Sequence, residues 1–189
     1  MSNDAKVLQR NGPVAHIDLA SIVHNCRVVR DAAPNSQIMA VIKADAYGHG
    51  LGQVARTLSP HVDALAVARV TEACELRDVG IEDAIIVLQG FASRSELDQC
   101  IEGGFLPVVH SDAQVGMMLH EPEYPVWLKV DTGMHRLGLR PSQLMEVCPQ
   151  LNVIGVMSHL ANSDLVSYTH LRAHETSLHL VCRLLLEKK

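Results

Sequence analysis

The sequence predicts an α/β fold built on a parallel β-sheet, and three observations predict it. Short apolar runs recur at 38–42, 64–70, 84–88, 106–109, 126–130 and 153–157, rich in Val and Ile and with little alternation. Such runs suit strands covered on both faces. Helical patterns with recognisable ends lie between them. The strand starts fall roughly 20 to 27 residues apart, the length of one strand, one helix and two short loops.

Taken in order, a first helix at about 19–30 puts Leu19, Ile22, Val23, Cys26 and Val29 on one stripe. The strand at 38–42 runs directly into Lys43. Thr71 is expected to cap a helix at 72–79, which Gly80 stops. Ser93 with Glu96 reads as an S-x-x-E capping box, and Ser111 with Gln114 as S-x-x-Q. Gly103 and Gly104 read as a helix end, and Trp127, inside an apolar strand, as core. Pro141 suits the first turn of a helix reaching about Cys148. Six strands alternating with helices leave two closures open, a doubly wound open sheet or a (β/α)8 barrel. A barrel takes about 250 residues and eight strands, so six units read as an incomplete (β/α)8 barrel. Periodicity alone does not separate the two.

Composition narrows the function. With 16 Lys and Arg against 21 Asp and Glu, the net charge is -5, which argues against a basic nucleic-acid surface. No apolar run reaches the roughly 18 residues of a membrane span, and the polar first ten residues carry no secretory pattern. The five cysteines, Cys26, Cys74, Cys100, Cys148 and Cys182, are never spaced C-x-x-C. That pattern favours a reducing cytoplasm over a disulfide scaffold or a zinc site. No H-x-x-x-H or H-E-x-x-H spacing suggests a metal, and no glycine-rich nucleotide loop is present.

Chemistry concentrates after the first strand. A lysine leaving a buried strand is costly to desolvate unless it is used, paired or neutralised. Lys43 is followed by Tyr47, a hydroxyl donor, and by Gly48 and Gly50, which allow close approach of a ligand to the backbone. Residue types alone suggest a Schiff-base lysine beside an anion-binding loop.

The stretch 41–50, VIKADAYGHG, resembles the cofactor-lysine motif of the alanine racemases. His16, Ile17, Asp18 and Leu19, with Asn25, are similar to that family's opening strand and helix. WLKVDTGMHRLG at 127–138 is similar to its fifth-strand motif, and GVMSHLANSD at 155–164 to the end of its sixth strand. The resemblance implies a (β/α)8 barrel binding pyridoxal 5′-phosphate at its C-terminal mouth. It implies that Lys43 holds the cofactor as a Schiff base and, as a neutral amine, moves the α-proton on one face. Tyr47 is implied to hold the phosphate, and His159 to pack against the pyridine ring. Arg136 is implied to lie near the phenolic oxygen, and Lys129 to be carbamylated so that it orients Arg136. The implied activity is interconversion of L- and D-alanine, serving D-alanine and peptidoglycan synthesis or alanine catabolism, in a cytoplasmic homodimer with a shared active site.

The match to the family stops after Asp164. The domain reading is therefore a tail at 1–12, a partial barrel at 13–165 and a non-native tail at 166–189. VSYTHLRAHET, at 166–176, resembles the direct translation of a sequencing adapter. The family's remaining strands, its C-terminal β-domain and the partner's tyrosine base are expected to lie outside this chain, which is then a fragment inactive by itself. Open edges at 38–42 and 153–157 are expected to invite aggregation. Two other functions compete: a non-catalytic pyridoxal phosphate carrier of the single-domain barrel type, and an unrelated barrel enzyme whose Lys43 reacts with the substrate itself.

Overall fold

The structure is a computed structural model that describes residues 14–160 and 182–184. Helix α1 (Leu19–Ala32) precedes strand β1 (Ile38–Val41), the short turn α2 (Lys43–Gly48) and helix α3 (Leu51–Leu58). Strands and helices then alternate: β2 (Ala64–Val67), α4 (Val70–Asp78), β3 (Ile85–Val87), α5 (Arg94–Gly103), β4 (Leu106–Val109) and α6 (Asp112–Met118). The series ends with β5 (Val126–Val130), α7 (Pro141–Val147) and β6 (Val153–Ser158), and β7 (Cys182–Leu184) lies apart in sequence.

All pairings are parallel, in the order β6-β5-β4-β3-β2-β1-β7. From β1 to β6 each strand lies beside its predecessor and the order never reverses. A doubly wound sheet needs such a reversal, because its strands run outward in both directions from a switch point. The fold is therefore a partial (β/α)8 barrel, which decides between the two closures left open above.

Residue alternation separates the faces of the sheet. Met39, Val41, Ala66, Ile86 and Val108 cluster with Trp127 and Met157, and no helix contributes to this group. It is the barrel interior. Ile42, Leu65, Val67, Ile85 and Val87 instead pack on Ile22, Cys26, Val54 and Leu76 of the helices. Val126 and Leu128 do the same against Leu97, Met118 and Val147. Register keeps the faces continuous, since Val41 pairs with Ala66 and Ala66 with Ile86.

Several local expectations change. Thr71 does not cap α4: Arg69 is its N-cap, and the Glu72 carboxylate accepts the Ala68 and Arg69 N–H groups at 2.7 and 3.0 Å. That cap also ends β2 at Val67 rather than at 70. Residues 16–18 form no strand, because Asp18 turns its carboxylate onto the Ala20 and Ser21 N–H groups and caps α1. The outer edge of β1, expected to be open, pairs with β7. The Ser93 and Ser111 hydroxyls cap α5 and α6 as read, while Glu96 and Gln114 reach back to the Ala92 and His110 N–H groups rather than to the serines' own, and Gly104 ends α5 in the left-handed conformation. Apart from β7, the expected tail at 166–189 lies outside the described residues.

Candidate active site

A parallel barrel brings all its strand C-termini to one end, and the candidate residues gather there. The Ile42 N–H still donates to Ala66 at 2.9 Å, so the sheet continues to the residue before Lys43. The chain then leaves the sheet through four residues in the left-handed region, Ala44, Asp45, Ala46 and Tyr47, at φ 54°, 53°, 49° and 56°. Each such L-residue costs about 1–2 kcal/mol, so the turn needs outside support. It gets it from Ala46 N–H to Ile42 O (2.9 Å), from Gly50 N–H to Asp45 O (3.1 Å) and from Leu51 N–H to the Asp45 carboxylate (2.6 Å). Glu72 adds a fourth bond, accepting the Ala44 N–H at 2.6 Å. Within this turn the Lys43 ammonium lies 5.9 Å from the centroid of the Tyr47 ring, in cation–π range. The Tyr47 side chain is exposed.

Lys129 belongs to β5 and alternates with Val126, Leu128 and Val130, which are buried toward the helices or the sheet. It therefore shares the interior face with Trp127 and pairs across to Met157 of β6. The Trp127 ring covers Gly155 so closely that a Cβ there would come within 2.4 Å of it. The buried Trp127 indole N–H has no hydrogen-bond partner among the described residues.

After β5 the chain loops out to Arg136 and returns. Asp131 organises the loop: its carboxylate accepts the Gly133 and His135 N–H groups at 2.9 and 3.0 Å, and His135 Nδ1 lies 3.1 Å away. Those bonds, the His135 N–H foremost and then the Gly133 N–H, hold the Asp131 carboxyl below the usual carboxylate range. Leu139 closes the loop by donating to Lys129 O at 2.8 Å and accepting from Asp131 N–H at 2.9 Å. The Ser158 hydroxyl donates to Val130 O at 3.0 Å, so at 2.6 Å the Thr132 hydroxyl donates to Ser158. The loop is thereby fastened to the end of β6, beside His159. Arg136 itself is exposed.

Two further groups at this end escaped the sequence reading. Glu72 reads there only as a helix residue, since its bond to Ala44 spans 28 positions. Gln114, buried, joins the ends of β3 and β4: its Oε1 accepts the His110 N–H (2.8 Å) and its Nε2 donates to Gln89 O (3.0 Å) and Phe91 O (2.9 Å). Both amide hydrogens are then in use, so His110 Nε2, 3.0 Å from Gln89 O, carries its own hydrogen. The S-x-x-Q spacing was the available signal, but it pointed to helix capping alone.

The structure thus brings Lys43 and Tyr47 into contact and sets Lys129, the Arg136 loop and His159 at the same barrel end. A primary amine suits a carbonyl, and a phenol hydroxyl beside it suits a phosphate oxygen. This donor set fits pyridoxal 5′-phosphate. The family model described as alanine racemase, N-terminal domain, matches residues 17–186. An alanine racemase of Thioalkalivibrio sulfidiphilus is 44% identical over 167 residues, covering 82% of this chain and 46% of the relative. One of Nitrosococcus oceani is 43% identical over 165 residues, with the same coverages of 82% and 46%. The chain spans about half the length of the curated relatives it matches. The alanine racemase of Acinetobacter baumannii superposes with a TM-score of 0.76 at 28% identity, over 83% of this chain and 47% of the other. That of Bartonella henselae, solved with covalently bound pyridoxal phosphate, gives 0.73 at 28% identity, over 83% and 48%.

Proposed function

Since the chain belongs to the alanine racemase N-terminal domain family, we propose that it is the cofactor-bearing part of a pyridoxal 5′-phosphate enzyme interconverting L- and D-alanine. The observation that carries this is the placement of Lys43 where β1 leaves the barrel, with Tyr47 against it and Lys129 on the interior face. Bound there, the cofactor withdraws the electron pair that remains when the α-proton departs. Lys43 would hold the cofactor carbonyl carbon through Nζ until the incoming substrate amine takes its place on that carbon, and the amine so released would take and return that proton on one face. Tyr47 would donate its hydroxyl to the phosphate, and His159 would pack against the ring. Arg136 orients the group on the opposite face. Carbamylation would convert Lys129 from a cation into an anion able to hold Arg136 in place. The second base comes from a tyrosine of a partner subunit in a cytoplasmic homodimer, so this chain alone racemises little or not at all.

The reading is tested by adding pyridoxal 5′-phosphate, reducing with borohydride and mapping the pyridoxyl peptide. Label on the peptide holding Lys43, lost in Lys43→Ala, is the expected result; label confined to other lysines refutes it. Exchange of the alanine α-hydrogen for deuterium by an assembly containing this chain and a partner base separates a racemase from a non-catalytic carrier.

A further inference from the structure

We propose that Glu72 is a positioning residue for Lys43: its carboxylate fixes the first peptide after the lysine and so holds the left-handed turn from which the amine emerges. The proposal rests on the reading of Lys43 given above, and its own support is geometric. A glutamate in the first turn of a helix ordinarily reaches back to the N-cap N–H and stops there. Glu72 does more. One oxygen accepts the Ala68 and Arg69 N–H groups at the junction of β2 and α4, which is capping, and the other accepts the Ala44 N–H at 2.6 Å. The third bond contributes nothing to the helix. It ties the end of β2 to the peptide joining Lys43 to Ala44, two residues past the last residue of β1.

That peptide is where the backbone changes hand. Ile42 has φ −116° and ψ 19°, and Ala44 has φ 54° and ψ 54°. A run of left-handed L-residues persists only where the surroundings over-determine it. Two other supports act further along, where Asp45 receives Gly50 and Leu51, and a third, Ala46 N–H to Ile42 O, holds the peptide before Lys43. Glu72 holds the peptide that follows the lysine Cα, as Ala46 holds the one before it, and so acts on the direction in which the lysine side chain leaves. α5 offers a matched comparison, since Glu96 caps it in the same way, accepting the Ala92 N–H at 2.6 Å, without touching this turn.

The test compares the chain with Glu72→Gln, with Glu72→Gln plus Ala44→Gly, and with Glu96→Gln. Two quantities are read: hydrogen exchange at the Ala44 amide, and the rate at which pyridoxal 5′-phosphate with borohydride labels the Lys43 peptide. Glu72→Gln is expected to accelerate Ala44 exchange and to slow Lys43 labelling, each by about tenfold, the scale of one lost charge-assisted bond. Far-UV circular dichroism should stay unchanged. Ala44→Gly should restore labelling several-fold, because glycine enters the left-handed region freely. Glu96→Gln should change neither quantity. Equal labelling in Glu72→Gln and the unchanged chain overturns the proposal, as does an equal loss in Glu96→Gln or no recovery with Ala44→Gly. If Glu72→Gln does not fold, Glu72→Asp takes its place, keeping the charge and shortening the reach by one methylene. Absence of any label on Lys43 in the unchanged chain would refute the cofactor reading instead, and Ala44 exchange would still decide whether Glu72 holds the turn.

Discussion

Asp131 illustrates how one carboxylate shapes the loop that carries Arg136. Its hydrogen bonds from His135 and Gly133 favour the ionised form, so its folded-state pKa lies below the ordinary 3.8. A depressed carboxyl stabilises the fold above the unfolded pKa and loses that contribution as pH falls through the folded one. The loop carrying Arg136 should therefore stay ordered above about pH 4 and loosen below it. Exchange at the His135 amide, corrected for its intrinsic pH dependence, should accelerate only on the acid side. Asp131→Asn should remove that acid-side transition. A side chain at Gly138 faces a harder limit, because its Cβ would come within 2.4 Å of the Asp131 nitrogen.

At the scale of elements, Gln114 welds the end of β3 to the end of β4. Gln114→Leu keeps the volume but leaves the His110 N–H and the Gln89 and Phe91 carbonyls without that partner. The expected loss is roughly 2–4 kcal/mol in chemical denaturation, and Gln114→Glu, which keeps the acceptor but buries a carboxylate against two carbonyl oxygens, should lose no less. Gln114 also marks where sequence reading stops. The strands, the α5 and α6 caps and the Pro141 start were legible because each depends on residues within a turn of one another. The proposed site residues Lys43, Tyr47, Lys129, Arg136 and His159 come from motif resemblance, and what was legible of them is their position at or beside strand ends. Glu72 was not, because its decisive bond crosses from α4 to the turn after β1. The left-handed run at 44–47 was hidden for a related reason, since Ala, Asp, Ala and Tyr carry no local preference for it and tertiary bonds impose it.

For the whole molecule, the controlling fact is the curl of a parallel sheet whose β6 edge is uncovered among the described residues. Among the described residues no strand covers the outer edge of β6, and Ile154 there is 47% exposed. Unpaired edges with apolar side chains template association between chains. Light scattering should rise with concentration, and Ile154→Lys should lower it without altering the circular dichroism of the fold. Equal scattering by both chains would place the sticky surface elsewhere. The other end differs from expectation because β7 lies along β1. The described strands thus reach past Lys43 on both sides, which favours retention of the turn after β1.

The indole at position 127 is the sole tryptophan in 189 residues, and it lies inside the barrel against Gly155. A reduced pyridoxyl chromophore fixed at the same mouth would absorb where this ring emits. Occupancy should therefore dim the native ultraviolet fluorescence by energy transfer, giving a built-in optical gauge of loading that requires no added dye.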